Sequence, residues 1–247
     1  MLLDQEERSL IKGIIINKFR GDIRLFDSAK KMIEDLCGVP VLGIIPYFKD
    51  IYIEEEDSVA ISKRGNCFIE NRVNIVVVYL NQMSNYTDFA VLERDSRVNL
   101  YYSKDPSEIK KAQIIIIPGT KSTLSDLHYI RANGIASAIL DAHKSGSTII
   151  GICGGYQMLG QSILDQHGLE GGEGGEMDGL GLLSSVTVFR SYGKRTQQVV
   201  GTMLPEGEPI RGYEIHMGET DRRGHHPLFL LRDAEGEHEE GCWDESM

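Results

Sequence analysis

No stretch of the chain approaches the ~18 consecutive apolar residues that a membrane span needs. Met1 leads into LLDQEERSL, which has neither a basic n-region nor a long apolar run. A soluble, cytoplasmic protein without a membrane partner is therefore expected. Basic charge is also short, with 26 Lys and Arg against 37 Asp and Glu and a formal net charge of -11. A sequence-independent grip on nucleic acid would work against that field, so no nucleic-acid partner is expected either. Cysteine is scarce. The four, Cys37, Cys67, Cys153 and Cys242, are scattered and form no CxxC pair, which argues against a zinc site and a dense disulfide framework. They are expected as reduced thiols. His225 and His226, beside Pro227, have no Cys or carboxylate at ligand spacing and read as exposed turn residues, so no metal site is expected.

The 247 residues are 41% hydrophobic and 26% charged, enough to bury one large core or two modest ones. The apolar runs are short, rich in Ile and Val, and bounded by Gly, Pro or Asn: GIIIN (13–17), PVLGIIP (40–46), VNIVVVY (73–79), QIIIIP (113–118) and STIIGIC (147–153). That is how strands buried on both faces of a parallel sheet read. Helix-period stretches lie between them, notably SAKKMIEDLC (28–37) and GIASAILDAHKSG (134–146). The alternation predicts an open, mostly parallel α/β sheet with right-handed crossovers. After Gly181 the runs LLSSVTVF, QQVVGTML and PIRGYEIHM predict antiparallel strands appended to that sheet.

A polar, Gly/Asn-punctuated stretch at 57–72 suggests a domain boundary near residue 70, dividing 1–70 from 71–247. The first part holds two strands and one good helix, too little apolar surface to offset its ordering entropy, and reads as the end of a domain that begins elsewhere. The last fifteen residues, DAEGEHEEGCWDESM, carry seven carboxylates and are expected to be frayed or disordered.

Gly151-Ile152-Cys153-Gly154-Gly155 matches G-x-C-x-G, the thiol form of the strand-to-helix nucleophile elbow. A buried strand ends at Ile152, Cys153 takes the tight turn, and Gly151 and Gly155 remove side chains where strand and helix pack closely. A helix is expected to follow through YQMLGQSIL. A thiol at its start meets unpaired backbone N–H groups, which favour the thiolate. The Gly154 N–H would face a developing oxyanion. Pro118-Gly119-Thr120, directly after QIIII, suits a second donor, with Gly119 admitting substrate close to the backbone. A dinucleotide turn would want G-x-G-x-x-G in place of G-x-C-G-G.

Other candidates are weaker. Glu214 and His216 in GYEIHMG share a strand face, as a site pair or a structural hydrogen bond would require, and a supporting role is favoured. The run GLEGGEGGEMDGLG (168–181) follows a helix and carries four acids that would repel phosphate, so a mobile surface loop is expected.

GICGGYQMLG, SNYTDF (84–89), PGTKSTLSDL (118–127), GLGLL (179–183) and GYEIHMG (212–218) together resemble the cobyric acid synthase family, as do NKFRGD (17–22) and PVLGIIPY with EEEDSVAI (40–61). The resemblance implies a flavodoxin-like class I glutamine amidotransferase domain preceded by part of a P-loop-type ATP-binding domain similar to dethiobiotin synthetase. It implies ATP, Mg2+ and glutamine as cofactor and co-substrates, and a corrinoid substrate, adenosylcobyrinic acid a,c-diamide, whose peripheral carboxylates are amidated. Cys153 matches the nucleophile, Gly119 and Gly154 the oxyanion-hole region, and Gln157, Thr120, Asn85 and Asp88 match glutamine contacts. Asn17 and Lys18 become nucleotide contacts. Related alternatives are a cobyrinate diamide synthase and a lipid II amidating subunit, with YQMLG and GYEIHMG favouring cobyric acid synthase. Two family strings do not occur in these residues: the phosphate loop G-x-x-x-x-G-K-[ST], and the Gly-Thr-Tyr-x-His-Gly segment carrying the general-base His. The chain is accordingly expected to be a piece of a longer enzyme, inactive by itself.

Overall fold

A computed structural model describes residues 5–47, 67–170, 174–191, 193 and 195–244; most of the polar stretch 57–72, where a domain boundary is expected, lies outside them. The chain divides into two compact units, Met1–Glu54 and Glu55–Met247. Among the described residues, no helix is long and apolar enough to cross a membrane.

The first unit runs α1 (Gln5–Leu10), β1 (Ile14–Phe19), α2 (Asp27–Cys37) and β2 (Val41–Pro46), with β1 and β2 paired in parallel. Gly38 ends α2 in the left-handed region, at φ 69°, and its N–H donates to the Glu34 carbonyl. The Glu34 carboxylate accepts from Val41 N–H at 2.9 Å and so ties the helix to β2. The expectation of strands buried on both faces fails here. Ile15 is 58% exposed and α2 has no buried residue. Two strands and one short amphipathic helix cannot cover both faces of a sheet.

The second unit is built on a parallel sheet of order β4-β3-β5-β6. Its elements are β3 (Val73–Val78), α3 (Ala90–Glu93), β4 (Val98–Ser103), α4 (Pro106–Ile109), β5 (Ile114–Ile117), α5 (Thr123–Ala132), α6 (Ile135–Lys144), β6 (Thr148–Gly151) and α7 (Gly154–Leu159). Alternate residues of the strands feed two separate cores. Val76, Val78, Ile115 and Ile117 pack with Leu127, Ile130, Ile135 and Ile139 of α5 and α6. Ile75, Val77 and Ile116 pack with Phe89 and Tyr102 on the other face. Both faces of β3 and β5 are covered, as the unbroken apolar runs require, whereas the edge strand β6 departs from that expectation and leaves Ile150 41% exposed. The strand order reverses between β3 and β5, and in such sheets the crevice at the carboxyl ends is where ligands sit.

The helix expected through YQMLGQSIL stops at Leu159, and Ser162–Asp165 form strand β7. Gly160 ends it: a Cβ on Gly179 would lie 2.0 Å from the Gly160 carbonyl oxygen, so the two backbones touch and the chain must turn. The remaining strands are β8 (Gly175–Asp178), β9 (Val186–Val188), β10 (Arg195–Met203), β11 (Glu208–His216), β12 (Glu219–Asp221), β13 (Phe229–Arg232) and β14 (Glu237–Glu240). They form two further four-stranded sheets, β12-β9-β7-β8 and β11-β10-β13-β14, and do not extend the parallel sheet as expected. The acidic tail is ordered through Asp244: β14 pairs with β13, and Cys242 is buried. Glu237 and Glu239 face outward along β14, where they cost little, while Glu240 is half-buried, and β14 is an edge strand that pairs on its β13 side. The loop expected at 168–181 is likewise built in where described. Asp165 accepts from the N–H groups of Leu169 and Glu170, and Gly175–Asp178 pair with β7.

Candidate active site

Cys153 follows β6 directly and precedes α7, with φ 50° and ψ -112°. A non-glycine residue in such a conformation stores about 1–3 kcal/mol of strain, which the surroundings must impose. The neighbouring glycines show how. A Cβ on Gly155 would lie 2.0 Å from the Ile117 carbonyl oxygen, and one on Gly151 would lie 2.6 Å from Tyr156 Cα. Strand and helix are in backbone contact, and the thiol is left exposed at the turn. None of the four cysteines is paired in a disulfide.

Three consecutive carboxyl ends of the sheet surround the thiol. The segments after β3 and β5 are zipped together by Ser84 N–H to the Gly119 carbonyl, 2.9 Å, and Lys121 N–H to the Gln82 carbonyl, 3.0 Å. A Cβ placed on Gly119 would be 3.6 Å from Cys153 Cβ, so the β5 loop passes beside the Cys153 thiol with backbone only. Gly154 stands at the first position of α7, where a backbone N–H has no partner within the helix. The resulting cavity of about 420 Å³ is lined by Asn85, Asp88, Gly119, Thr120, Cys153, Gln157 and His216 among others. Seven candidates drawn from four separate stretches of sequence thus meet in one place.

Two lining residues are used internally. The Gln157 amide Nε2 donates to the Met217 carbonyl, 2.9 Å, and its Oε1 accepts from Thr123, 3.2 Å, so the side chain fixes the end of β11 to α5. The Thr120 hydroxyl donates to Asp126. Asp126, 1% exposed, also accepts from the N–H groups of Asn81 and Gln82 and so clamps both loops that frame the pocket. Sequence reasoning misses Asp126. Its one signal is position, in the first turn of a helix directly after the Gly119 loop.

Glu170 and Lys121 also line the cavity. Glu170 belongs to the acidic run expected as a surface loop, yet it accepts from Thr123 N–H at the start of α5, and its backbone carbonyl accepts from Ser122. Burial pushes its carboxyl up, against the lowering effect of the Thr123 hydrogen bond.

His216 lines the pocket with both ring nitrogens turned to acceptors, Nε2 to Glu214 Oε1 at 2.8 Å and Nδ1 to the Gly218 carbonyl at 3.1 Å. Neither is directed at Cys153. The thiol's contact on this strand is the Ile215 carbonyl, 4.0 Å away. Asn17 and Lys18 lie in the first unit, where Asn17 Oδ1 accepts from Lys18 N–H at 2.8 Å. His225 is not the exposed turn residue expected: Nε2 accepts from Ser184 N–H at 2.8 Å, and the side chain is 14% exposed. His226 is exposed and stacks near Trp243 at 5.9 Å.

Residues 74–247 match the model of the CobB/CobQ-like glutamine amidotransferase domain. The chain is similar to a cobyric acid synthase of Phocaeicola vulgatus, 51% identical over 243 residues that make up 98% of this chain and 49% of that protein. It is 52% identical to one of Bacteroides fragilis over 98% of this chain and 48% of the relative. For one of Parabacteroides distasonis the figures are 47%, 100% and 51%. The chain spans about half the length of the curated relatives it matches. Among solved structures, PurLQS from Thermotoga maritima aligns at TM-score 0.45 and 18% identity, over 66% of this chain and 76% of that one.

Proposed function

The chain belongs to the family of CobB/CobQ-like glutamine amidotransferase domains, and on that premise we propose that it is the glutamine-cleaving part of a cobyric acid synthase. Its ammonia would amidate peripheral carboxylates of adenosylcobyrinic acid a,c-diamide, activated by ATP. The observation that carries the reading is Cys153 on a strained elbow with the Gly119 loop against it at the mouth of a polar cavity.

The Cys153 thiolate adds to the carboxamide carbon of glutamine, forming a C–S bond and moving the carbonyl electron pair onto oxygen. The backbone N–H groups of Gly119 and Gly154 receive that oxyanion. As the tetrahedral intermediate collapses, the C–N bond breaks and the nitrogen leaves as ammonia after taking a proton. Water then cleaves the thioester to glutamate and restores the thiol. Glutamine is a zwitterion at its other end, and the cavity matches it: the carboxylates of Glu170 and Asp88 suit the α-ammonium, and Lys121 suits the α-carboxylate. Asn85 adds a neutral contact at the same rim. Gln157, Thr120, Glu214 and His216 hold this arrangement in place through the bonds described above.

ATP would supply activation of the acceptor carboxylate. These residues contain no phosphate-loop string, and Asn17 and Lys18 are proposed as contacts to the nucleotide base. In the full-length enzyme, Cys153→Ala should abolish glutamine-driven amidation of the corrinoid and spare amidation driven by ammonium salts. Loss of both would overturn the role assigned to the thiol.

A further inference from the structure

Asp126, in the first turn of α5, is not among the residues that line the Cys153 cavity, yet its carboxylate reaches both loops that frame it. Oδ1 accepts from Asn81 N–H at 3.1 Å, and Oδ2 accepts from Gln82 N–H at 3.2 Å and from the Thr120 hydroxyl. These three donors take the place of water on a buried carboxylate. Leu127 and Ile130 of the same helix are fully buried in the core, so the carboxylate stands on a fixed base.

Beside Asp126 the two loops are joined to each other. Met83 and Thr120 form an isolated antiparallel bridge, closed by the Ser84–Gly119 and Lys121–Gln82 hydrogen bonds. Thr120 also stands against the elbow: a Cβ on Gly154 would lie 2.8 Å from Thr120 Cγ2 and 3.5 Å from Thr120 N. With the hydroxyl held by Asp126, the methyl is turned toward α7, and a β-branched side chain has few other rotamers to take. One carboxylate therefore fixes the β3 loop, the β5 loop and the gap between Thr120 and the first residue of α7.

We propose that Asp126 is a positioning residue for glutamine cleavage, which sets the separation of the Gly119 loop from the start of α7, where the oxyanion would form. The role rests on the glutamine chemistry proposed above. Asp126 touches no reacting atom, so its effect on the rate passes through Thr120 and the backbone beside it. A misplacement of about 1 Å in such a site costs about 100-fold in rate. Glu170, proposed for the α-ammonium, is tied separately to Thr123 N–H, so ground-state binding of glutamine should suffer less than turnover.

The test is steady-state amidation of the corrinoid by the full-length enzyme, with glutamine or ammonium salts as the nitrogen source. Asp126→Asn sets an amide NH2 against donors now bonded to a carboxylate oxygen. It should lower kcat with glutamine about 10–100-fold, move KM for glutamine by less than about threefold, and retain the ammonium-driven rate. Thr120→Val cuts the same link from the loop side while keeping the side chain's shape, and should lower kcat about tenfold; it carries the test if the Asn variant fails to fold. In the double variant the losses should not multiply, because one link is cut twice. A merely structural Asp126 would lower the unfolding temperature and leave the kcat of the folded enzyme as it was. A kcat within about twofold of the parent in Thr120→Val, losses that multiply, or a loss carried by KM would overturn the role. A parent enzyme that makes no Cys153-dependent use of glutamine would sink the glutamine chemistry and this role with it, so the two failures read differently.

Discussion

β1 and β5 are built from almost the same letters, GIII and QIIII, and meet opposite fates. In β5, Ile115, Ile116 and Ile117 are 0%, 3% and 0% exposed, whereas Ile15 in β1 is 58% exposed. The difference is in the neighbours. β5 has a strand on each side and apolar layers on both faces, α5 and α6 on one and Phe89 with Tyr102 on the other. β1 pairs with β2 alone, and the helix beside it buries nothing completely. An apolar run states that a segment can be buried; a second layer decides whether it is. The strained turn at Cys153 follows β6, an edge strand with Ile149 5% and Ile150 41% exposed, so it is held by backbone contact of Gly151 with α7 and of Gly155 with β5.

The severest way to probe that grip is Gly155→Ala. Its methyl would collide with the Ile117 carbonyl oxygen in the backbone of β5 itself, and a loss of about 3 kcal/mol or more, or failure to fold, is expected in urea unfolding. Ile115→Ala should come next, at about 2–5 kcal/mol, since it leaves a cavity between layers. The same change at Ile15 should stay within about 0.5 kcal/mol, and a loss near that of Ile115 would erase the contrast between the strands.

The smallest effect concerns pH and Glu170. Because burial raises its carboxyl above the ordinary value of 4.5, the folded chain keeps this proton to a higher pH than the unfolded chain does. Its contribution to stability is therefore full below pH 4.5 and is lost as pH rises through the raised value. Glu170→Gln keeps a neutral group at every pH. The variant should match the parent in thermal unfolding at acid pH and gain on it toward neutrality, and a constant offset across that range would contradict the burial argument.

Much of the central sheet was legible in the sequence. The Ile/Val runs mark β3 and β5 because strands covered on both faces have no polar positions to interrupt them; the run at β6 marks a strand too, but an edge strand whose Ile150 is 41% exposed. The elbow was legible because a strand-to-helix reversal at that radius leaves room for glycine alone on either side of the cysteine. Segments of three or four residues were not. β7 reads SILD, continuous with the helical pattern before it, and only backbone contact between Gly160 and Gly179 shows that the helix must stop. The acidic tail looked unfoldable by composition, but β14 needs just one buried side per strand and a partner for its hydrogen bonds, which β13 provides.

Sequence by itself therefore determined the family, the cysteine elbow and the glycines around it, since each depends on local chain geometry and residue chemistry. Tertiary structure decided which polar residues face the thiol and which support it. Thr120 and Gln157 turned out to be bonded to Asp126, Thr123 and Met217, Glu170 came in from a run read as solvent loop, and Glu214 found His238 across a sheet. A hydrogen bond between residues far apart in the chain has no periodicity to betray it; it exists only once the strands have brought its two ends within three ångströms or so.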